Sequence, residues 1–128
     1  MPGKKVKLHS DKAPAAIGPY SQAIQAGDFV FVSGQLPIDA KTGGIVGNTI
    51  EEQTRQSLKN IQHILEDHQL SMENVVKTTV FLKNIQDFPA MNKVYAEFFT
   101  DPFPARAAIE AAHLPLGALV EIEVIAVK

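Results

Sequence analysis

A chain of 128 residues, 45% of them hydrophobic, has the size and apolar content of one ordinary domain, so residues 1–128 read as a single unit with one core. It has no cysteine, which excludes disulfides, thiolate catalysis and cysteine-ligated zinc or iron–sulfur centres. A net charge of −2 without a long run of either sign lacks the basic face of a dedicated nucleic-acid binder, so nucleic acid is not an expected partner.

No apolar run approaches the roughly 18 residues of a membrane span, so no membrane is expected either. Met1-Pro2-Gly3-Lys4-Lys5 is charged with no apolar stretch behind it, which predicts no secretory signal and a cytoplasmic protein.

Val6–Leu8 predicts a short first strand, and His9–Ile17 a loop leading to a turn at Gly18-Pro19. Tyr20–Gln25 and Phe29–Ser33 predict a hairpin around Gly27-Asp28. The second of these strands is apolar on both faces, Phe29 and Phe31 on one and Val30 and Val32 on the other. Gly34 ends it, and Pro37 to Gly47 predicts a loop. Gly43-Gly44 is not followed by the Lys-Ser/Thr of a phosphate loop and reads as a turn.

Thr49-Ile50-Glu51-Glu52 is a capping box opening a helix whose apolar stripe is Leu58, Ile61, Ile64 and Leu65. Ser71–Asn74 predicts a turn or short helix, and Val75–Leu82, rich in β-branched residues, a strand. Phe88–Phe99 predicts a second helix, with Asp87 as its cap, Pro89 in its first turn, and Phe88, Met91, Tyr95 and Phe98 inward. Ala105–Ala111 and Leu119–Val127 predict the last strands, joined by a turn holding Pro115 and Gly117.

The order β-β-β-α-β-α-β-β fits an α+β fold, a mixed sheet with two helices on one face. Two helices cannot cover both faces of strands that are apolar on both sides. The uncovered face predicts contact with another subunit, because large exposed apolar patches are rare in monomers.

Arg106 is one of only two arginines and sits in Phe103-Pro104-Ala105-Arg106-Ala107-Ala108-Ile109, otherwise small and apolar. A guanidinium there needs a partner. Its fork suits a planar carboxylate, and an ion pair with Glu110, Glu121 or Glu123 would serve as well. Glu121 and Glu123 alternate with Val120, Ile122 and Val124, so both point away from the aliphatic row. With Arg106 they could bind a small acid and activate water, or they could simply be solvated. Tyr20, Ser33 and Asn92 are polar groups beside apolar elements, readable as pocket residues or as satisfied core polar groups.

His9, His63, His68 and His113 show no metal-ligand spacing, so no metal site is expected. Lys77 and Lys83 read as solvated rather than as Schiff-base lysines.

Five blocks then resemble one family. Ala16-Ile17-Gly18-Pro19-Tyr20-Ser21-Gln22-Ala23 and Val32-Ser33-Gly34-Gln35-Leu36-Pro37 are similar to the first two signatures of the reactive-intermediate deaminases, the RidA or YjgF family. Val75–Leu82 with Asp87-Phe88 and Asn92 resembles the third. Phe103–Ala108 with Leu114-Pro115 resembles the fourth, and Val120–Val127 the C-terminal block. The resemblance runs in register from about Ala13 to the end.

It implies a chorismate-mutase-like fold and a homotrimer with pockets between subunits. It also implies cofactor-free hydrolysis of 2-iminopropanoate and 2-iminobutanoate to 2-keto acids and ammonia. On that resemblance Arg106 clamps the substrate carboxylate, Glu121 activates water, and Tyr20, Ser33, Gly34, Asn92 and Ala108 line the pocket. Ala108 stands where many bacterial members have cysteine, and Leu116 where lysine is common. Two other functions stay open at this point: a small-acid-binding regulatory trimer without turnover, and an endoribonuclease or translation inhibitor.

Overall fold

Burial alternates along each long strand, and the sheet is assembled from that alternation. The computed structural model describes residues 4–128, so Met1, Pro2 and Gly3, and the expectation of no secretory signal there, fall outside it. The strands are β1 (Val6–Leu8), β2 (Ala23–Ala26), β3 (Phe29–Gln35), β4 (Val75–Leu82), β5 (Ala105–Glu110) and β6 (Val120–Val127). The helices are α1 (Ile50–Glu66) and α2 (Phe88–Tyr95), so the predicted element order holds. The sheet runs β1-β2-β3-β6-β4-β5, antiparallel except for the parallel pair β4–β5.

Val30, Val32, Val80, Leu82, Val120, Ile122, Val124 and Ala126 line one face and are buried beneath the helices. Leu58, Ile61, Ile64 and Leu65 of α1 pack there with Met91 and Tyr95 of α2. Burying each large aliphatic side chain contributes roughly 1.5–3 kcal/mol, so this layer holds the fold. The other face has no cover among the described residues. Phe29 and Phe31 are each 45% exposed, and Ile109 is 49% exposed.

Several boundaries differ from expectation, each for a local reason. β2 begins at Ala23 rather than Tyr20. Gln22 is buried and its side chain is spent on backbone: its amide nitrogen donates to the Ser10 and Pro14 carbonyls at 3.0 and 2.8 Å, and its oxygen accepts the Ser10 N–H at 2.7 Å. Those bonds hold the preceding loop in place and keep Tyr20 outside the sheet.

β3 continues to Gln35 through a bulge. Val32 pairs with Val124 and Gln35 with Ile122, so β3 spends one residue more than β6 across this step.

Thr49 caps α1 as predicted, its hydroxyl accepting the Glu52 N–H at 3.2 Å. Helix α2 stops at Tyr95, not Phe99, because the Glu97 and Phe98 N–H groups tighten to the carbonyls three residues back. Asp87 makes no capping bond. Asn84 instead caps a short turn, accepting the Gln86 N–H at 2.9 Å. Val94, not predicted inward, is buried, whereas Phe88 and Phe98 are only partly buried.

Candidate functional site

Strand register decides which site residues meet. On β4 and β5, Thr78 is level with Arg106 and Val80 with Ala108. Thr78 and Val80 are fully buried under α2, so Arg106 and Ala108 point to the helix side of the edge strand. On β4 and β6, Phe81 is level with Glu121 and Thr79 with Glu123. Both glutamates therefore lie on the open face, as their alternation predicts. One expectation is corrected: Arg106 does not share a face with these carboxylates within one chain.

The Arg106 half is closely built. Its guanidinium donates to Asn92 Oδ1 at 2.6 Å. It also lies over two rings, 4.7 Å from the Tyr95 centroid and 5.2 Å from that of Phe88. Phe88, Asn92 and Tyr95 recur at helical spacing and form one stripe of α2. No carboxylate pairs with Arg106 among the described residues. The ion pair to Glu110, Glu121 or Glu123 is thus absent within the chain. Instead Arg106 borders a cleft of about 410 Å³ with Asn92, Tyr95, Ala96, Phe103 and Pro104.

The Glu121 half is built around the bulge. Gly34 lies so close to Glu121 that a Cβ on it would come within 3.0 Å of the carboxylate carbon. Glycine is required there so that the carboxylate can lie flat against the strand. Ser33 is committed: its hydroxyl donates to the Ser21 carbonyl at 2.6 Å and its N–H to the Gln22 carbonyl at 2.9 Å. Both polar groups of Ser33 are thus satisfied within the chain, which matches the second of its two sequence readings, a satisfied polar group. Tyr20 and Gly34 line a second cleft of about 450 Å³, walled by Ile17, Leu36, Ile38 and Leu116.

Burial raises the Glu121 carboxyl above its ordinary value, and the neighbouring Glu123 charge adds to the rise. A carboxylate shifted in that direction is a better proton acceptor near neutrality. The predicted site residues thus fall into two groups, Arg106–Asn92–Ala108 and Tyr20–Ser33–Gly34–Glu121.

Sequence reading missed the ring clamp. It placed Phe88 and Tyr95 inward as core, although their spacing around Asn92 was the available signal. Two of the histidines bond to backbone: His63 Nδ1 and His68 Nε2 meet the Lys12 and His9 carbonyls at 3.2 and 3.0 Å. No group of three metal-binding side chains occurs among the described residues, and no helix there is long and apolar enough to cross a membrane.

The chain is similar to known proteins along nearly its whole length. The family model described as "Endoribonuclease L-PSP" matches residues 10–128. A RutC family protein of Pyrococcus horikoshii is 53% identical over 97% of this chain and 98% of its own. The 2-iminobutanoate/2-iminopropanoate deaminase of Salmonella typhimurium is 47% identical over 94% of this chain and 96% of its own. A solved Yersinia pestis structure, described as a protein of unknown function of the conserved Rid family, superposes with a TM-score of 0.95. It is 48% identical and covers 98% of this chain and 100% of its own. With a family model spanning nearly its whole length, the chain belongs to the YjgF/RidA family.

Proposed function

We propose that this protein hydrolyses short 2-imino acids, 2-iminopropanoate and 2-iminobutanoate, to 2-keto acids and ammonia. The site is completed between copies of a homotrimer. The observation that carries the reading is Arg106: a guanidinium held in a cleft by rings and one amide, with no carboxylate paired to it among the described residues. That is a built receptor for a planar anion of substrate.

Glu121 stands on the opposite face of the same sheet, so the two groups meet only if a second copy supplies one of them. The open face with Phe29, Phe31 and Ile109 is the surface over which copies pack. Arg106 of one copy then holds the substrate carboxylate and fixes the imine carbon beside a water. Glu121 of the other takes a proton from that water as its oxygen attacks. The proton passes to nitrogen, the carbinolamine collapses, and ammonia leaves as the keto acid forms. An imine carbon is electrophilic enough that the chemistry calls for no metal or cofactor.

Subunit mixing tests this directly. Arg106→Ala and Glu121→Gln are each expected to lose nearly all activity on imine generated in situ from serine by a dehydratase. Co-refolded, the two variants regain part of the wild-type rate, because some interfaces then pair an intact Arg106 with an intact Glu121. No recovery in mixed trimers would defeat the shared site. No acceleration by assembled wild type would defeat the deaminase reading.

The family model's description favours a second reading, an endoribonuclease. The net charge of −2 counts against it, and RNA cleavage surviving Arg106→Ala would place that activity elsewhere.

A further inference from the structure

An arginine can be immobilised by a carboxylate, but the carboxylate then occupies the fork that would bind substrate. This chain immobilises Arg106 differently. Ring faces attract a guanidinium through their quadrupole and take none of its N–H donors. Tyr95 and Phe88 supply two such faces, at 4.7 and 5.2 Å, and Asn92 takes a single N–H at 2.6 Å. The plane of the guanidinium is fixed while donors remain for a two-pronged contact.

The nearer ring is itself fixed. The Tyr95 hydroxyl and Thr78 Oγ1 are hydrogen-bonded at 2.9 Å in the core, with Tyr95 5% and Thr78 0% exposed. Phe99 packs on the same ring, centroids 4.6 Å apart and planes tilted by 38°. Thr78 is also the β4 residue level with Arg106 on β5. A closed circuit results: Arg106 under the Tyr95 ring, the ring tied to Thr78, and Thr78 beside Arg106 in the sheet. A phenylalanine and a valine would fill the same space with no buried polar atoms to satisfy, so packing alone does not call for this hydroxyl pair.

We propose that Tyr95 is a positioning residue for substrate binding, setting the plane of the Arg106 guanidinium, with Thr78 setting the Tyr95 ring. The inference rests on the reading of Arg106 as the carboxylate clamp.

The test compares Tyr95→Leu, the double variant Tyr95→Phe/Thr78→Val and Arg106→Ala in the assembled protein. The readouts are KM and kcat for imine hydrolysis and Kd for pyruvate, the keto-acid product, with methyl pyruvate as a control lacking the carboxylate. Loss of the ring face is expected to raise KM and the pyruvate Kd about tenfold, with a smaller change in kcat. The double variant removes both hydroxyls as a pair and so keeps its melting temperature. It is expected to raise the same constants about threefold. Methyl pyruvate binding should not change in either, which a merely structural role would not predict.

If Tyr95→Leu fails to assemble, the double variant decides alone. Unchanged pyruvate binding in the assembled Tyr95 variants, beside its loss in Arg106→Ala, overturns the positioning role and leaves the clamp. Weakening in Tyr95→Leu alone keeps the ring and removes Thr78 from the circuit. Unchanged pyruvate binding in Arg106→Ala overturns the clamp and the positioning role together.

Discussion

Arg106 and Glu121 sit on opposite faces of one sheet, and opposite means hold them. Arg106 is gripped by two rings and an amide oxygen. Glu121 lies against a glycine in a bulge, and what perturbs it is burial and a neighbouring charge. The first arrangement fixes the direction of a permanent charge. The second leaves a carboxylate that can change protonation state. A binder of carboxylate needs the first property and a proton acceptor for water needs the second, so the contrast matches the proposed division of labour.

The largest expected effect comes from removing the gripped side. Arg106→Ala should lower kcat/KM for 2-iminopropanoate by roughly two to three orders of magnitude, from the loss of a charge-assisted pair. Arg106→Lys should recover little of it, because a point charge lacks the planar fork. Steady-state assays of imine decay measure both. A lysine variant close to wild type would mean that charge alone suffices and that the ring clamp serves something else.

The adaptable side is tested next, through Gly34. Gly34→Ala places a methyl where the Glu121 carboxylate lies. The end of a flexible side chain can move aside, so the variant should fold with a nearly unchanged melting temperature. The displaced carboxylate should lower kcat by about tenfold or more, part of the two to four orders that a general base contributes. Full activity in Gly34→Ala would show that the resting position of Glu121 is not its working position.

The same contrast marks what the sequence made legible. The aliphatic row Val120, Ile122 and Val124 announced a helix-covered face, and the placement of Glu121 and Glu123 followed by parity. Arg106 was legible as an unusual charge, but not its face. That depends on β5 pairing in parallel with β4 so that Arg106 stands level with Thr78, a long-range register that no local pattern encodes.

The bulge at Ser33 and Gly34 was invisible for a similar reason, since it exists only relative to β6. The boundary at Tyr20 moved because Gln22 spends its side chain on the backbone of Ser10 and Pro14, which lie in the loop before it and outside any strand pattern. The five blocks resembling the family implied pockets between subunits, and one chain does keep Arg106 and Glu121 on opposite faces of its sheet.

The smallest expected effect concerns stability. Burial and Glu123 hold the Glu121 carboxyl above its unfolded value, so over that window the native state binds more protons than the unfolded chain. Stability then falls as pH rises through the window, because the slope follows protons bound unfolded minus protons bound native. The cost is absent below the ordinary carboxylate value and fully present above the raised one. Glu121→Gln removes the titration and with it the cost.

Melting curves of wild type and Glu121→Gln should therefore lie closest in acid, with the variant gaining as pH rises toward neutrality. The gap should narrow in Glu123→Gln, which removes the smaller of the two causes. A gap constant with pH would mean that the carboxylate is as well solvated in the assembled protein as in the unfolded chain. The rise in its pKa, and with it the basis for reading Glu121 as the proton acceptor, would then be lost.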